Sequence, residues 1–231
     1  MNKFIGSLIA ILFAITMTGC AVTPKQPIAM DQAFLSNNEK VIGVIVTPLP
    51  EMDMAYPGAS CLLCYGTAAA MNSSLSSHAD TISLEELEQV KHELISSLSS
   101  KGHKALLIEE EIVVKELASF SAKNEQTSDK DFSKLASKHN VSHLLVVDIT
   151  FAGFVRDYSS YVPVSEPRAQ ISGTASVIDG STNAYLWYLP LNIQKNADGE
   201  WDEPDLDFPG LTDAFYQAIE STKTAIKEPV I

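Results

Sequence analysis

The sequence predicts an α/β fold: a single sandwich with a mixed sheet of about five strands, in the order β-α-β-α-β-β-β-α. Three observations carry that expectation. Short β-rich apolar runs at Lys40–Val46, Lys104–Ile108 and His143–Phe154 are separated by segments with helical periodicity. Two alternating runs, Arg168–Ile178 and Ala184–Gln194, flank Asp179-Gly180-Ser181-Thr182, a hairpin turn signal. An apolar stripe that includes Phe215, Ile219 and Ile226 marks a closing helix over Thr212–Lys227.

Each element has a local reason. KVIGVIV is β-branched and stops at Thr47-Pro48-Leu49-Pro50, where proline removes the ladder donors. The stretch 51–80 is rich in small residues and reads as loop plus weak helix. Ser83 and Glu86 have capping-box spacing, and Leu84, Leu87, Val90, Leu94 and Leu98 follow on one face, so a helix is expected over Ser83–Ser100 with Gly102 as its stop. Helical pieces are also expected at Glu110–Ala122 and Asp131–His139. The third strand opens LLVVD, apolar on both faces, as a strand covered on both sides should be. Pro190 interrupts the last strand and removes a ladder donor, which points to an edge or a bulge. Thr212 is the expected cap of the final helix.

The 231 residues carry 16 Lys+Arg against 29 Asp+Glu, a formal charge of −13. So negative a chain repels phosphate backbones, and no nucleic-acid partner is expected. At the N-terminus, Lys3 precedes an apolar run from Phe4 to about Ile15, followed by small residues. That is the layout of a secretory signal segment. Its last four residues, Met17-Thr18-Gly19-Cys20, resemble the bacterial lipobox. The resemblance implies cleavage before Cys20, lipid on its sulfur and, with Ala21 next, sorting to the outer membrane on its periplasmic side. Residues 1–19 are then the signal peptide, 20–38 a lipidated tether containing Pro24 and Pro27, and 39–231 one periplasmic domain. The expected membrane contact is through lipid on Cys20.

The run Asp131–Asp148 (DFSKLASKHNVSHLLVVD), a helix that ends in an Asn-Val turn and feeds a buried strand, resembles periplasmic lipoproteins of the curli-secretion and penicillin-binding-protein-activator group. The domain of that group is similar to the N-terminal domain of TolB. The resemblance implies an accessory or assembly role in a cell-envelope complex, with another protein as ligand, and it leaves open oligomerisation into a secretion channel.

The candidate chemistry is sparse. Cys61-Leu62-Leu63-Cys64 in an oxidising compartment reads as a short-loop disulfide; exchange activity and metal handling are the alternatives. His78, His92, His139 and His143 lack the spacing of familiar zinc sets, so no metal is expected. Asp148, near the end of an apolar run, is the lone candidate for a catalytic carboxylate. Without G-x-S-x-G, H-E-x-x-H or a phosphate loop, no enzyme activity and no cofactor are expected. Tyr158, Tyr161, Tyr188 and Trp201 form the expected partner surface. Alternation puts Tyr185, Trp187 and Leu189 on one face and Tyr188 on the other, beside an edge open to strand addition.

Overall fold

The computed structural model describes residues 25–36, 38–122, 124–203, 205 and 207–230; Cys20 and the expected signal segment lie outside them. The strands are β1 (Val41–Val46), β2 (Asp53–Ala55), β3 (Lys104–Leu107), β4 (His143–Val155), β5 (Tyr158–Ser159), β6 (Val162–Pro163), β7 (Arg168–Asp179) and β8 (Tyr185–Asn196). The main sheet runs β3-β1-β4-β7-β8. Its first three strands are parallel and the rest antiparallel, so the α/β sandwich with a mixed sheet is the observed fold. β2 pairs in parallel with the far end of β4, and β5 and β6 form a separate small hairpin.

The helices are α1 (Gln32–Ser36), α2 (Leu62–Met71), α3 (Ser73–Ala79), α4 (Glu85–Glu88), α5 (Val90–Ser100), α6 (Ser133–His139) and α7 (Pro209–Lys227). One face of the sheet packs on α5 and α7 through Val90, Leu94, Leu98, Leu211, Phe215 and Ile219, all buried with Val44, Leu145, Val147 and Ile171. The other face is covered over its parallel strands and the adjoining ends of β7 and β8, where Leu135 and Ala136 of α6 cluster with Ile45, Leu144, Val146 and Ile178. That alternation explains why β4 opens as an unbroken apolar run.

Several local expectations are corrected. The stretch 51–80 contains β2, α2 and α3 rather than loop with weak helix. Ser83 Oγ accepts the N–H of Glu85 at 3.2 Å, not that of Glu86, and the helix breaks at Gln89 into α4 and α5. At the far end of α5, the N–H groups of Gly102 and His103 close onto Ser99 and Leu98, the expected stop. Residues 110–122 form only one 3₁₀ turn, Val114–Glu116; beyond it the Phe120 N–H donates to Asp129 O and the Asp131 N–H to Ala118 O, a bridge between Ser119 and Lys130. α7 begins at Pro209 with Phe208 as its left-handed cap, and Thr212 sits inside it, donating to the Phe208 carbonyl at 3.0 Å.

Within the segment 20–38, expected as a tether, the described residues from Lys25 on pack against the domain. Ile28 exchanges backbone bonds with Tyr188 at 2.8 and 3.1 Å, and the Asp31 N–H donates to Leu186 O at 2.8 Å. Lys25 Nζ donates to Thr127 O and lies 4.4 Å from the Tyr185 ring centroid. The chain from Lys25 onward therefore belongs to the domain and straps its β8 edge. A register shift between Val177 and Ile178 also breaks the alternation of β8. Tyr185 and Tyr188 stand on the same face, ring centroids 5.0 Å apart, while Trp187 turns into the core.

Phe34 of α1 plugs the opposite end of the parallel strands, 5.9 Å from the His103 ring and 5.3 Å from His143. Burial, and secondarily Lys40, lowers the His143 pKa despite Asp179 lying 3.8 Å away. A folded-state pKa below the unfolded value means that the folded form disfavours the proton. The associated stability is present above ~6.5, the ordinary histidine value, and is lost as pH falls through the folded value. Urea midpoints should therefore fall as pH drops below neutrality, and fall less in His143→Asn. Leu94→Ala, in the core beneath α5, should cost about 2–5 kcal/mol in the same assay.

Candidate functional site

Cys61 is extended (φ −101°, ψ 153°) and caps α2; its Sγ accepts the N–H of Cys64 at 2.9 Å. The two cysteines are joined in a disulfide with Cα atoms 4.9 Å apart. Helical geometry separates their environments: Cys64 points inward and is buried, whereas Cys61 is exposed. Between them Leu62 and Leu63 stand in solvent, 88% and 73% exposed.

The β5–β6 hairpin lies against this helix start. The Tyr158 N–H donates to Pro57 O at 2.7 Å and the Ser160 N–H to Gly58 O at 3.3 Å. Gly58 has φ +87°, and a Cβ there would fall 1.8 Å from the Tyr158 carbonyl oxygen, so only glycine permits the approach. Tyr161 brings its hydroxyl 3.7 Å from Cys61 Sγ, a weak donor contact to the disulfide. Tyr161, Val162 and Val164 of this segment are exposed, as are Tyr65 and Met71 on α2. The exposed residues at the start of α2 and in the β5–β6 segment form an apolar tip at the far end of β4. It is also uncharged: no Asp, Glu, Lys or Arg occurs between Asp53 and Asp80, or between Asp157 and Glu166.

A polar frame holds the tip. Asn72 Nδ2 donates to Tyr158 Oη and Ala68 O, each at 2.7 Å, and Asn72 Oδ1 accepts from Arg156 Nη1 at 3.1 Å. Arg156 also donates to Ser165 O and lies 4.7 Å from the Trp201 ring. Arg168 forks onto Asp157, and its hydrogen bond holds that carboxyl below the usual range. Beneath, Tyr56 meets Tyr65 and Tyr158 edge-on, and burial pushes its hydroxyl pKa up to about 12.

Of the four aromatics expected to meet a partner, Tyr161 alone stands free. Tyr158 is buried because its hydroxyl is needed to accept from Asn72. Trp201 is half-buried under Arg156 and against the core. Tyr188 lies on an edge that the chain's own residues 28–31 already pair with. The exposed apolar residues that the sequence did not single out are Leu62, Leu63, Tyr65, Met71, Val162 and Val164. The charge-free stretch between Asp53 and Asp80 was the available signal.

The remaining candidates do not converge. His78 is bonded to Thr212 Oγ1 at 2.7 Å, His139 to Glu110 at 3.0 Å, and His143 is buried. Among the described residues, no group of three or more His, Cys, Asp and Glu could hold a metal ion. Asp148 lies inside β4 and accepts from Thr47 Oγ1 at 2.8 Å. A groove of about 890 Å³ opens at the carboxyl ends of β1 and β3, with six glutamates in its lining. Glu88 is paired with Lys91 there, and Glu110 with Lys138. Covering those charges would cost desolvation, whereas exposed apolar surface of the tip gains by burial.

No protein-family model matches the chain, and no curated protein does. Several solved structures match the chain at low identity and low TM-score. A putative neuraminyllactose-binding hemagglutinin homolog from Helicobacter pylori is 12% identical, covering 91% of this chain and 88% of that one, with a TM-score of 0.40. The PelC dodecamer from Paraburkholderia phytofirmans is 9% identical over 89% and 94%, TM-score 0.36. Lipoprotein GNA1162 from Neisseria meningitidis is 12% identical over 80% and 99%, TM-score 0.29. At these values none of them says what this chain does.

The site geometry makes two predictions. Gly58→Ala should detach the β5–β6 hairpin, so that limited proteolysis cuts within 157–167 in the variant and spares the parent. Removing the disulfide in a Cys61→Ser/Cys64→Ser variant should cost about 2 kcal/mol, the loop-closure value for so short a ring, read as a shift in urea midpoint.

Proposed function

We propose that this protein is a lipid-anchored envelope lipoprotein, an accessory or assembly subunit that docks a partner protein with its uncharged apolar tip. The observation that carries the reading is the tip itself: Leu62 and Leu63 follow Cys61, Tyr161 touches it, and these residues with Val162 and Val164 are exposed on a chain whose charge is −13. Apolar surface gathered in one place on an otherwise strongly charged domain marks a contact site.

The position of the anchor argues for a protein rather than the anchoring bilayer as occupant. The described chain starts at Lys25, beside Tyr185 at the first end of β8. The tip follows Val155, which β7 and β8 align with Arg168 and Asn196 at the other end. A 12-residue strand covers roughly 35 Å, whereas residues 20–24 reach at most ~18 Å. With lipid on Cys20, the anchor and the tip occupy opposite ends of the sheet, and the tip faces away from the membrane that holds the lipid. No helix among the described residues is long and apolar enough to cross a membrane.

Photo-crosslinking in cells from positions 63 and 162, with position 192 on the polar sheet face as control, tests the docking role. The expected result is one discrete protein adduct from the tip positions, lost in Leu62→Ser/Val164→Ser and absent from position 192. Lipid adducts, or equal adducts from all three positions, would overturn the reading. An adduct of twice the chain's own mass would replace it with self-assembly.

A further inference from the structure

We propose that the Cys61–Cys64 disulfide is a thiol–disulfide exchange site that oxidises a polypeptide dithiol held by the apolar tip. The inference rests on the docking role of that tip and names the chemistry done there.

Three features separate this pair from a buried staple. The first is asymmetry: Cys61 is exposed and Cys64 is buried, so an incoming thiolate can reach one sulfur and not the other. The second is the set of donors aimed at the reachable sulfur. Cys61 Sγ accepts from the Cys64 N–H at 2.9 Å, has the Tyr161 hydroxyl 3.7 Å away, and caps the N-terminus of a 10-residue helix. All three stabilise negative charge on that sulfur once the disulfide opens. Stabilising the reduced form makes a disulfide a better oxidant, so the favoured direction is electron transfer from substrate to protein. The third is the collar. Leu62 and Leu63 beside Cys61 in the chain, and Tyr161 and Val162 of the hairpin that touches it, are exposed and uncharged, a surface suited to an uncharged apolar segment flanking the substrate cysteines.

The exchange balances without a further reagent for one turnover. A substrate thiolate attacks Cys61 Sγ; the Cys61–Cys64 bond breaks, a mixed disulfide forms, and Cys64 leaves as thiolate and takes a proton. The substrate's second thiolate then attacks its own sulfur in the mixed disulfide and releases Cys61 as a thiolate. The substrate gains a disulfide, two electrons pass to the protein, and Cys61 and Cys64 end as a reduced pair. The leucines between the cysteines thus act in positioning, and Tyr161 stabilises the charge that develops on Cys61.

The test uses the oxidised full chain and a synthetic peptide with two cysteines in an apolar sequence; a peptide with aspartates in place of its apolar residues is the control. Mass spectrometry should show one peptide disulfide formed per Cys61–Cys64 pair reduced, about tenfold faster for the apolar peptide, the scale of a lost apolar contact. Cys64→Ser mixed with the oxidised peptide should accumulate a mixed disulfide on Cys61. In the reduced protein, Tyr161→Phe should slow alkylation of Cys61 below neutral pH with the urea midpoint unchanged. A disulfide that yields to the peptide only after unfolding in urea, or a Cys64→Ser protein that traps nothing, would overturn the exchange and leave the docking role standing. Exchange that proceeds equally with both peptides would remove the collar's role in substrate choice and overturn the proposal as stated. Tip crosslinks that vanish while exchange persists would count against the docking role instead.

Discussion

Strand β4 is bonded along its first residues to β1 and along its last three to β2, while β7 follows it almost from end to end. The rest of the fold depends on that double pairing. The 13 residues of β4 outrun β1, and the chain leaves β1 at Thr47-Pro48, then returns as β2 to cover the exposed remainder. The return is possible because Gly153 lies opposite Asp53: a Cβ there would stand 1.9 Å from the Asp53 carbonyl oxygen. Once β2 is seated, the chain has only a few residues before Cys61, and the β5–β6 hairpin has only a few after Val155. The two meet above the end of β4 because both are launched from it.

The charge distribution has a matching logic. Acidic side chains cover the body and the groove at the carboxyl ends of β1 and β3, where Lys91, Lys138 and His139 offset some of them. The residues that build the tip contribute none. The fixed charges closest to it are committed beneath: Asp157 to Arg168, and Arg156 to Asn72 and Trp201. A partner that covers the tip therefore desolvates apolar area and few ions, which is the cheaper surface to bury.

Much of the fold was legible in the sequence, and what was hidden had physical causes. The strands β1, β3, β4, β7 and β8 and the helices α5, α6 and α7 announce themselves by periodicity, by the Asp-Gly turn, and by Asn140, which closes α6 at φ 52°. β2 is three residues long and owes its existence to a partner a hundred residues away, so no local pattern marks it. The break at Gln89 and the failure of Glu110–Ala122 to coil reflect tertiary contacts that override spacing. At the site, the cysteine pair could be read directly. The docking aromatics could not: burial of Tyr158 depends on Asn72, and one bulge at the start of β8 reversed the faces of Tyr185 and its neighbours. Leu62 and Leu63 fell in a stretch read as loop with weak helix, and nothing local says that a helix start there lies over open solvent.

The strap at residues 28–31 has a mechanical side. Its backbone bonds run antiparallel to β8, and Lys25, the first described residue, is held at Thr127 and Tyr185. A pull on the chain ahead of Lys25 would enter the domain at that corner and load the strap's bonds along the strand direction, in shear rather than one after another. Through the strap such a load passes to the start of β8, and the sheet carries it toward the tip as a stiff plate.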